Sequence, residues 1–116
     1  MRAGQHTLTI DQGTDWSETF TLRSKSTGVP LDLTGYTARM QMRREYTSPT
    51  TMIELTTGNG RIVLGGEEGT VTLQLNATET ATITRSGVWD VELVSAGGMV
   101  YRPLRGDVVL RPEVTR

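Results

Sequence analysis

The amino-acid sequence predicts an all-β domain, folded as a sandwich or a barrel. Short runs in which apolar and polar residues alternate recur about every 8–12 residues and are separated by turn residues. The 116 residues include 20 threonines and 13 glycines. β-Branched threonine suits a pleated, half-exposed strand, and glycine is typical of the turns between strands. Alanine-rich or glutamate- and lysine-rich segments are missing, so we expect about seven to nine short strands and no long helix.

The alternation positions the predicted strands one after another along the chain. In segment 36–43 the apolar residues stand at even positions and the polar residues at odd positions, so each set occupies one face of a strand. Segment 88–94 alternates in the same way, with Trp89 as a large core anchor. We predict strands at 7–10, 16–22, 36–43, 52–55, 61–64, 70–75, 88–94, 99–102 and 107–110.

Turn signals separate these strands. Asparagine and glycine both tolerate positive φ, so Thr57-Gly58-Asn59-Gly60 predicts a tight turn that returns strand 52–55 as strand 61–64. Glycine-containing segments 65–69 and 96–98 predict further hairpin turns, and Arg105-Gly106-Asp107 predicts the turn into the last strand. The polar segment 44–51, which contains Ser48-Pro49, is expected to be a long loop.

A single segment, 77–83, predicts a short helical turn. Asn76 is a suitable N-cap, and Glu79 follows it at the spacing of a capping box. Ala77, Ala81 and Thr84 are the residues expected to lie against the sheet. Asn76-Ala77-Thr78 also fits the glycosylation triplet, but helix capping is the preferred interpretation because the chain shows no signal peptide.

Composition excludes several classes of protein. The length suits one domain spanning residues 1–116, and the formal net charge of −1 argues against general nucleic-acid binding. No apolar run is long enough to span a membrane, and the N-terminus lacks the apolar core of a secretory signal, so synthesis in the cytoplasm is expected. The chain has no cysteine and one histidine, which argues against thiolate or multi-histidine metal centres.

No residue is predicted to be catalytic, to ligate a metal or to bind a cofactor. A nucleophilic triad would need His6, which stands close to the N-terminus. The carboxylate pairs Asp11 with Asp15 and Glu67 with Glu68 fall on predicted turns, where acidic groups are usually solvated. A calcium site at Asp11, Asp15 or Glu67 is the alternative, although the spacing matches no calcium loop. The chain is therefore expected not to be an enzyme.

Partner contact is the remaining role. Arg39, Arg43 and Arg44 mark the outer face and the end of one predicted strand, which suits an acidic partner, although a solvated face balanced by glutamates is the alternative. Trp16 begins a strand at an end of the predicted fold, where a partner can reach it. We also expect one terminal strand, 7–10 or 108–111, to pair with or pack on another chain. The candidate contact residues are Trp16, Arg39, Arg43, Arg44, Val108, Leu110 and Arg111.

Three motifs, which follow one another along the chain in the same order as in the family, resemble one family: an opening turn, a strand with its lead-in, and a close in two parts. The stretch 31–43, with its Leu33-Thr34-Gly35 lead-in and a strand that ends in arginine, is similar to a segment of small structural proteins of tailed bacteriophages and prophages. The turn 11–16 resembles that family's opening turn, and the segments 87–93 and 105–116 resemble its close. The lead-in is also similar to the N-terminal domain of some phage baseplate proteins. The resemblance covers nearly the whole chain.

The resemblance implies an immunoglobulin-like β-sandwich that serves as a virion structural protein and carries no catalytic residues. The leading hypothesis is a tail or baseplate adaptor or connector that attaches a fibre or another tail component. Other virion proteins, in a symmetric assembly of many copies, would be its partners.

Two other functions stay open. A capsid decoration protein is the alternative within the virion, and copy number would distinguish it from a tail adaptor. A carbohydrate-binding module is the alternative from another class, with Trp16, Tyr36, Tyr46 or Tyr101 stacking on sugar. The aromatic content of 5% is low for that role.

Overall fold

The computed structural model describes residues 4–116, and the predicted strand 7–10 therefore lies within it. This part of the chain folds into nine strands, one short α-helix and one 3₁₀ turn. The elements are β1 (Gly4–Gln5), β2 (Leu8–Asp11), β3 (Trp16–Thr21), β4 (Thr37–Arg43), β5 (Ile53–Thr56), β6 (Ile62–Leu64), the 3₁₀ turn Gly66–Glu68, β7 (Thr70–Leu75), α1 (Ala77–Ala81), β8 (Gly87–Val94) and β9 (Val100–Arg111).

The strands form two sheets. The larger sheet has the order β1-β9-β8-β4-β5, with β2 following β1 along the same edge of β9, and the smaller sheet has the order β3-β7-β6. Neighbouring strands are antiparallel except that β1 and β2 run parallel to β9. This arrangement confirms the prediction of an immunoglobulin-like sandwich, in which the central strand and the last two strands share one sheet.

The core lies between the two sheets and is built from the alternate residues that the sequence pattern assigns to the inner faces. Val91 and Leu93 are fully buried, and Trp89 nearly so. The buried apolar residues are Leu8, Ile10, Leu22, Leu33, Ala38, Met40, Met42, Ile53, Leu55, Ile62, Val71, Leu73, Leu75, Ile83, Trp89, Val91, Leu93, Leu104, Val108 and Leu110. Both sheets therefore depend on the same apolar contacts for their stability.

The turn at 57–60 does not form the predicted hairpin. It leads from β5, which pairs with β4, to β6, which pairs with β7 in the other sheet. The turn itself is tight, because the Asn59 Oδ1 atom accepts hydrogen bonds from the backbone N–H groups of Thr56 and Arg61 at 2.9 and 3.1 Å. Local turn chemistry is thus as expected, but it does not determine which sheet receives the next strand.

The predicted strands 99–102 and 107–110 are one continuous strand, so the expected turn at 105–107 is wrong. A register shift opposite Val91 and Leu93 forms a bulge that accommodates Pro103, which has no N–H to donate to a sheet. Gly106 lies within β9, where the His6 backbone crosses it. A Cβ atom at position 106 would stand 1.8 Å from the His6 carbonyl oxygen.

The helix begins as predicted but packs through different residues. Asn76 and Glu79 form the reciprocal capping box, with side-chain-to-backbone distances of 2.8 and 2.9 Å. Thr80 and Ile83 are buried, whereas Ala81 and Thr84 are exposed. The Thr80 hydroxyl donates to the Thr14 carbonyl oxygen at 2.8 Å, which ties the helix to the β2–β3 turn. No helix in the described part of the chain is long and apolar enough to cross a membrane.

Candidate functional site

The outer face of the larger sheet carries a network of charged side chains centred on Glu92. One Glu92 carboxylate oxygen accepts from Arg39 Nε at 2.9 Å, and the other accepts from Arg102 Nη2 at 2.8 Å. Arg102 Nε also lies 3.1 Å from the Asp90 carboxylate. Two arginines and two carboxylates from three adjacent strands therefore hold one another in position.

Strand register explains why these four residues meet. Arg39 on β4 stands directly opposite Glu92 on β8, and opposite charges at such a position attract across the sheet. Arg102 approaches from β9 at the bulge, where the register shift lets one side chain reach both Asp90 and Glu92. The Arg39–Glu92 pair depends on the register between β4 and β8. Arg102 reaches this pair because the bulge shifts the register of β9 against β8.

The pKa values of Glu92 and Asp90 are shifted in opposite directions from their ordinary values. The hydrogen bond from Arg39, reinforced by the one from Arg102, lowers the pKa of Glu92 despite partial burial. Partial burial raises the pKa of Asp90, and this effect exceeds the attraction of Arg102. Burial disfavours an ionised carboxylate, whereas a donated hydrogen bond favours it, so the side chain with more donors remains the stronger acid.

A shallow depression of about 580 Å³ adjoins the network. Its floor is the sheet itself, and its wall includes Tyr46, whose side chain is almost fully exposed. Its lining is mostly polar, which suits contact with another protein surface better than enclosure of an apolar ligand. The lining residues are Gln5, Gln41, Arg43, Tyr46, Val88, Trp89, Asp90, Glu92, Arg102, Arg105, Gly106 and Asp107.

The three arginines of the predicted cluster have different surroundings. Arg39 belongs to the Glu92 network. Arg43 donates to the Ser48 carbonyl oxygen at 2.7 Å and to Gln41 Oε1 at 2.8 Å, so it holds the 44–51 loop against β4. Arg44 is exposed at the end of the strand. The alternative of a face balanced by glutamate therefore describes Arg39, while Arg43 has an anchoring role that sequence reasoning missed.

Two predicted contact residues are buried, which corrects the sequence-based hypothesis. Val108 is 1% exposed and Leu110 is 9% exposed, because both point into the core. Residues 8–11 pair in parallel register with residues 108–111 of the same chain, so β9 is paired on both sides and β2 forms an edge of the larger sheet. Arg111 remains exposed, and its Nε donates to Asp11 at 2.6 Å across that pairing.

Both tryptophans belong to the sandwich. Trp89 is buried as predicted, and its indole N–H donates to the His6 carbonyl oxygen at 3.1 Å. Trp16 is half-buried and packs against the core, which leaves part of its ring accessible. The His6 ring lies on Phe20, with 4.8 Å between the ring centroids. Within residues 4–116, no hydrogen bond joins that ring to a serine or an aspartate.

The carboxylates of Asp11 and Asp15 are engaged in other contacts, and Glu67 and Glu68 are exposed. Asp11 pairs with Arg111, and the Asp15 carboxylate accepts from the Ala77 backbone N–H at 2.8 Å. Glu67 lies on the 3₁₀ turn. Over residues 4–116, no group of three or more acidic or histidine side chains is close enough together to hold a metal ion.

The aromatic residues considered for sugar binding do not form one platform. Tyr36 and Tyr101 stack on each other, with ring centroids 6.5 Å apart, and both pack against the core. Tyr46 follows the opposite end of β4. A seven-residue strand spans about 23 Å, so these rings cannot contact one small sugar together.

Comparison with protein-family models finds no matching family, and comparison with curated proteins finds no similar sequence. The site is therefore defined by its geometry. Of its central residues, sequence reasoning identified Arg39 but missed Asp90, Glu92 and Arg102. Alternation indicates that Asp90 and Glu92 face outward between buried neighbours, and that signal was sufficient to find them.

Proposed function

We propose that the chain is a structural protein of a tailed-phage virion, acting as an adaptor or connector in the tail or baseplate. The observation that carries the proposal is the position of the segments that resemble phage structural proteins. Three of these segments, 31–43, 87–93 and 105–116, contain β4, most of β8 and the second half of β9. These strands are neighbours, and their outer surface bears the Glu92 network.

This face has properties that suit a protein–protein contact. Its arginines are already ordered by ion pairs, so a partner would immobilise fewer flexible side chains on binding. Arg39 and Arg102 remain about half exposed, which leaves them accessible to carboxylate groups of a partner. The mixture of charges would select a partner by electrostatic complementarity, as the connector role requires.

Quantitative mass spectrometry of purified particles, separated into heads and tails, tests the location. Enrichment with tails at a few to a few dozen copies supports the adaptor. Enrichment with heads at hundreds of copies would instead indicate the decoration protein, and absence from both fractions would overturn the virion proposal.

A charge-reversed variant tests the face itself. Arg102→Glu removes the donors to Asp90 and Glu92 and adds a like charge beside them, so the ordered network is lost. Arg85→Glu makes the same change of charge at an exposed position outside the network and serves as the matched control. We expect the first variant to be depleted from particles and the control to be incorporated normally. Equal incorporation of two folded variants would exclude this face.

A further inference from the structure

Strand β6 presents an unpaired edge of the smaller sheet. The Gln74 N–H donates to the Arg61 carbonyl and the Gly65 N–H donates to the Thr70 carbonyl, both at 2.9 Å. Because bonding alternates along an antiparallel pair, the backbone groups of Ile62 and Leu64 point away from β7. No backbone or side-chain group of residues 4–116 forms a hydrogen bond to them. Four backbone donors and acceptors are therefore directed outward along one line.

Of the three other sheet edges in the described part of the chain, those of β5 and β3 carry features that oppose strand pairing. On β5, the Glu54 carbonyl accepts from Arg61 Nη1 and Asn59 Nδ2, and the Thr56 N–H donates to Asn59 Oδ1. On β3, exposed Glu18 alternates with Trp16 and Phe20 on the inward-facing side, where an added strand would bury its charge. The β6 edge has neither feature, and Val63 at its centre is 49% exposed.

We propose that β6 pairs with β6 of a second copy of this chain, antiparallel and related by a two-fold axis at Val63. In this register Ile62 of each copy faces Leu64 of the other, so all four outward backbone groups on each strand find partners. The two Val63 side chains meet on the outer face of the joined sheet. An isologous contact of this kind requires one self-complementary surface, which this edge supplies.

The charges at the two ends of β6 favour the same pairing. Arg61 precedes the strand, where its guanidinium pairs with Glu79 and remains 31% exposed, and Glu67 and Glu68 follow the strand. The two-fold axis brings Arg61 of one copy opposite Gly65 of the other, beside that copy's acidic turn, and it does so twice. Beside Val63 on the outer face of the sheet lie Thr72 and then Thr19, whose hydroxyl groups form a hydrogen bond at 3.0 Å. Both side chains are uncharged, so no like charges meet at the centre of the joined sheet. This pairing is independent of the proposed virion function.

Val63→Cys tests the pairing directly, because the chain has no cysteine of its own. In the proposed dimer, the two copies of residue 63 stand opposite each other without backbone hydrogen bonds between them. The Cα atoms of such a pair lie about 4.5 Å apart, within the range that a disulfide spans. Val109→Cys is the matched control, since Val109 is also a strand valine and is 41% exposed on an outer face. Under mild oxidation we expect a disulfide dimer of the first variant to form at least about tenfold faster than that of the control. Equal rates would overturn the proposal.

Sedimentation of the unmodified chain and of Val63→Lys gives a second readout without crosslinking. The lysines would face each other across the axis, where like charges repel, and folding should be unaffected because the side chain is exposed. We expect reversible dimers in the unmodified chain and dissociation at least about tenfold stronger in the variant. A monomer at all concentrations up to about 1 mM, or a dimer that the lysines leave unchanged, would overturn the proposal.

Discussion

The indole N–H of Trp89 donates to the carbonyl oxygen of His6, joining residues 83 positions apart at 3.1 Å. Trp89 belongs to the core of β8, and His6 connects the two strands that pair in parallel with β9. The same carbonyl approaches Gly106 on β9. The N-terminal strands are therefore held to the sandwich by a buried side chain as well as by their own backbone pairing.

This contact predicts that Gly106→Ala is destabilising. The added Cβ would meet the His6 backbone, so β1 and β2 would have to move away from β9. We expect the free energy of unfolding to fall by about 1–3 kcal/mol, measured by chemical denaturation. Gly58→Ala is the control, because a Cβ at position 58 meets nothing nearer than 3.6 Å. Equal stability of the two variants would contradict the proposed close approach.

Asn59 is predicted to stabilise the crossing between the sheets. Its side chain forms three hydrogen bonds, two as acceptor and one as donor to the Glu54 carbonyl. Asn59→Ala should lower the free energy of unfolding by about 2 kcal/mol, since each bond contributes about 0.5–1.5 kcal/mol. Asn59→Asp keeps an oxygen that can accept from the Thr56 and Arg61 backbone N–H groups, so its free energy of unfolding should fall by less. If aspartate and alanine cost the same in thermal and chemical unfolding, the acceptor bonds do not contribute.

Glu92 should stabilise the folded chain above mildly acidic pH. Its folded-state pKa is lowered, so its contribution is present above the unfolded-state pKa and is lost as pH falls through the folded-state pKa. Glu92→Gln should therefore be less stable than the unmodified chain at neutral pH, by about 0.2–1 kcal/mol for each exposed ion pair removed. Denaturation curves at several pH values should show that difference disappearing in acid. A difference independent of pH would indicate packing rather than charge.

Asp90 should show the opposite dependence. Its folded-state pKa is raised because burial disfavours its charge, so its favourable contribution is present below the unfolded-state pKa and is lost as pH rises through the folded-state pKa. Asp90→Asn, which stays neutral, should gain stability relative to the unmodified chain as pH rises across this interval. Nuclear magnetic resonance titration of the Asp90 carboxyl carbon gives the direct measurement. A pKa at or below the ordinary aspartate value would contradict the burial effect.

Much of the fold was predictable because its signals are local. The alternation over 70–75 gave the exact bounds of β7, and the spacing of Asn76 and Glu79 predicted the capping box. In both cases the groups that interact lie within a few residues, so side-chain periodicity and hydrogen-bonding capacity determine the outcome. The inward direction of Trp89, Val91 and Leu93 follows from the same periodicity.

The sequence-based predictions are wrong mainly in β9, which contacts segments that lie far away along the chain. The segment Arg105-Gly106-Asp107 predicts a turn, yet β9 continues through it, because the glycine admits the crossing backbone of His6 and a bulge accommodates the nearby Pro103. Val108 and Leu110 were expected at a partner interface, but they alternate with exposed residues along β9 and point into the core. The approach of the His6 backbone to Gly106 and the pairing of β2 with β9 join segments about 100 residues apart, and no local pattern identifies such a neighbour.

The sequence by itself determined the class of the fold, the inward face of most strands and the position of the helix. Only the tertiary structure decided which sheet each strand joins and which charges meet. Arg39 and Glu92 are 53 residues apart and become partners through β4–β8 register, and Arg102 joins them through a bulge. Side-chain periodicity fixes the face that a residue occupies, whereas register is set by the combined packing of the whole core, which assembles only when both sheets come together.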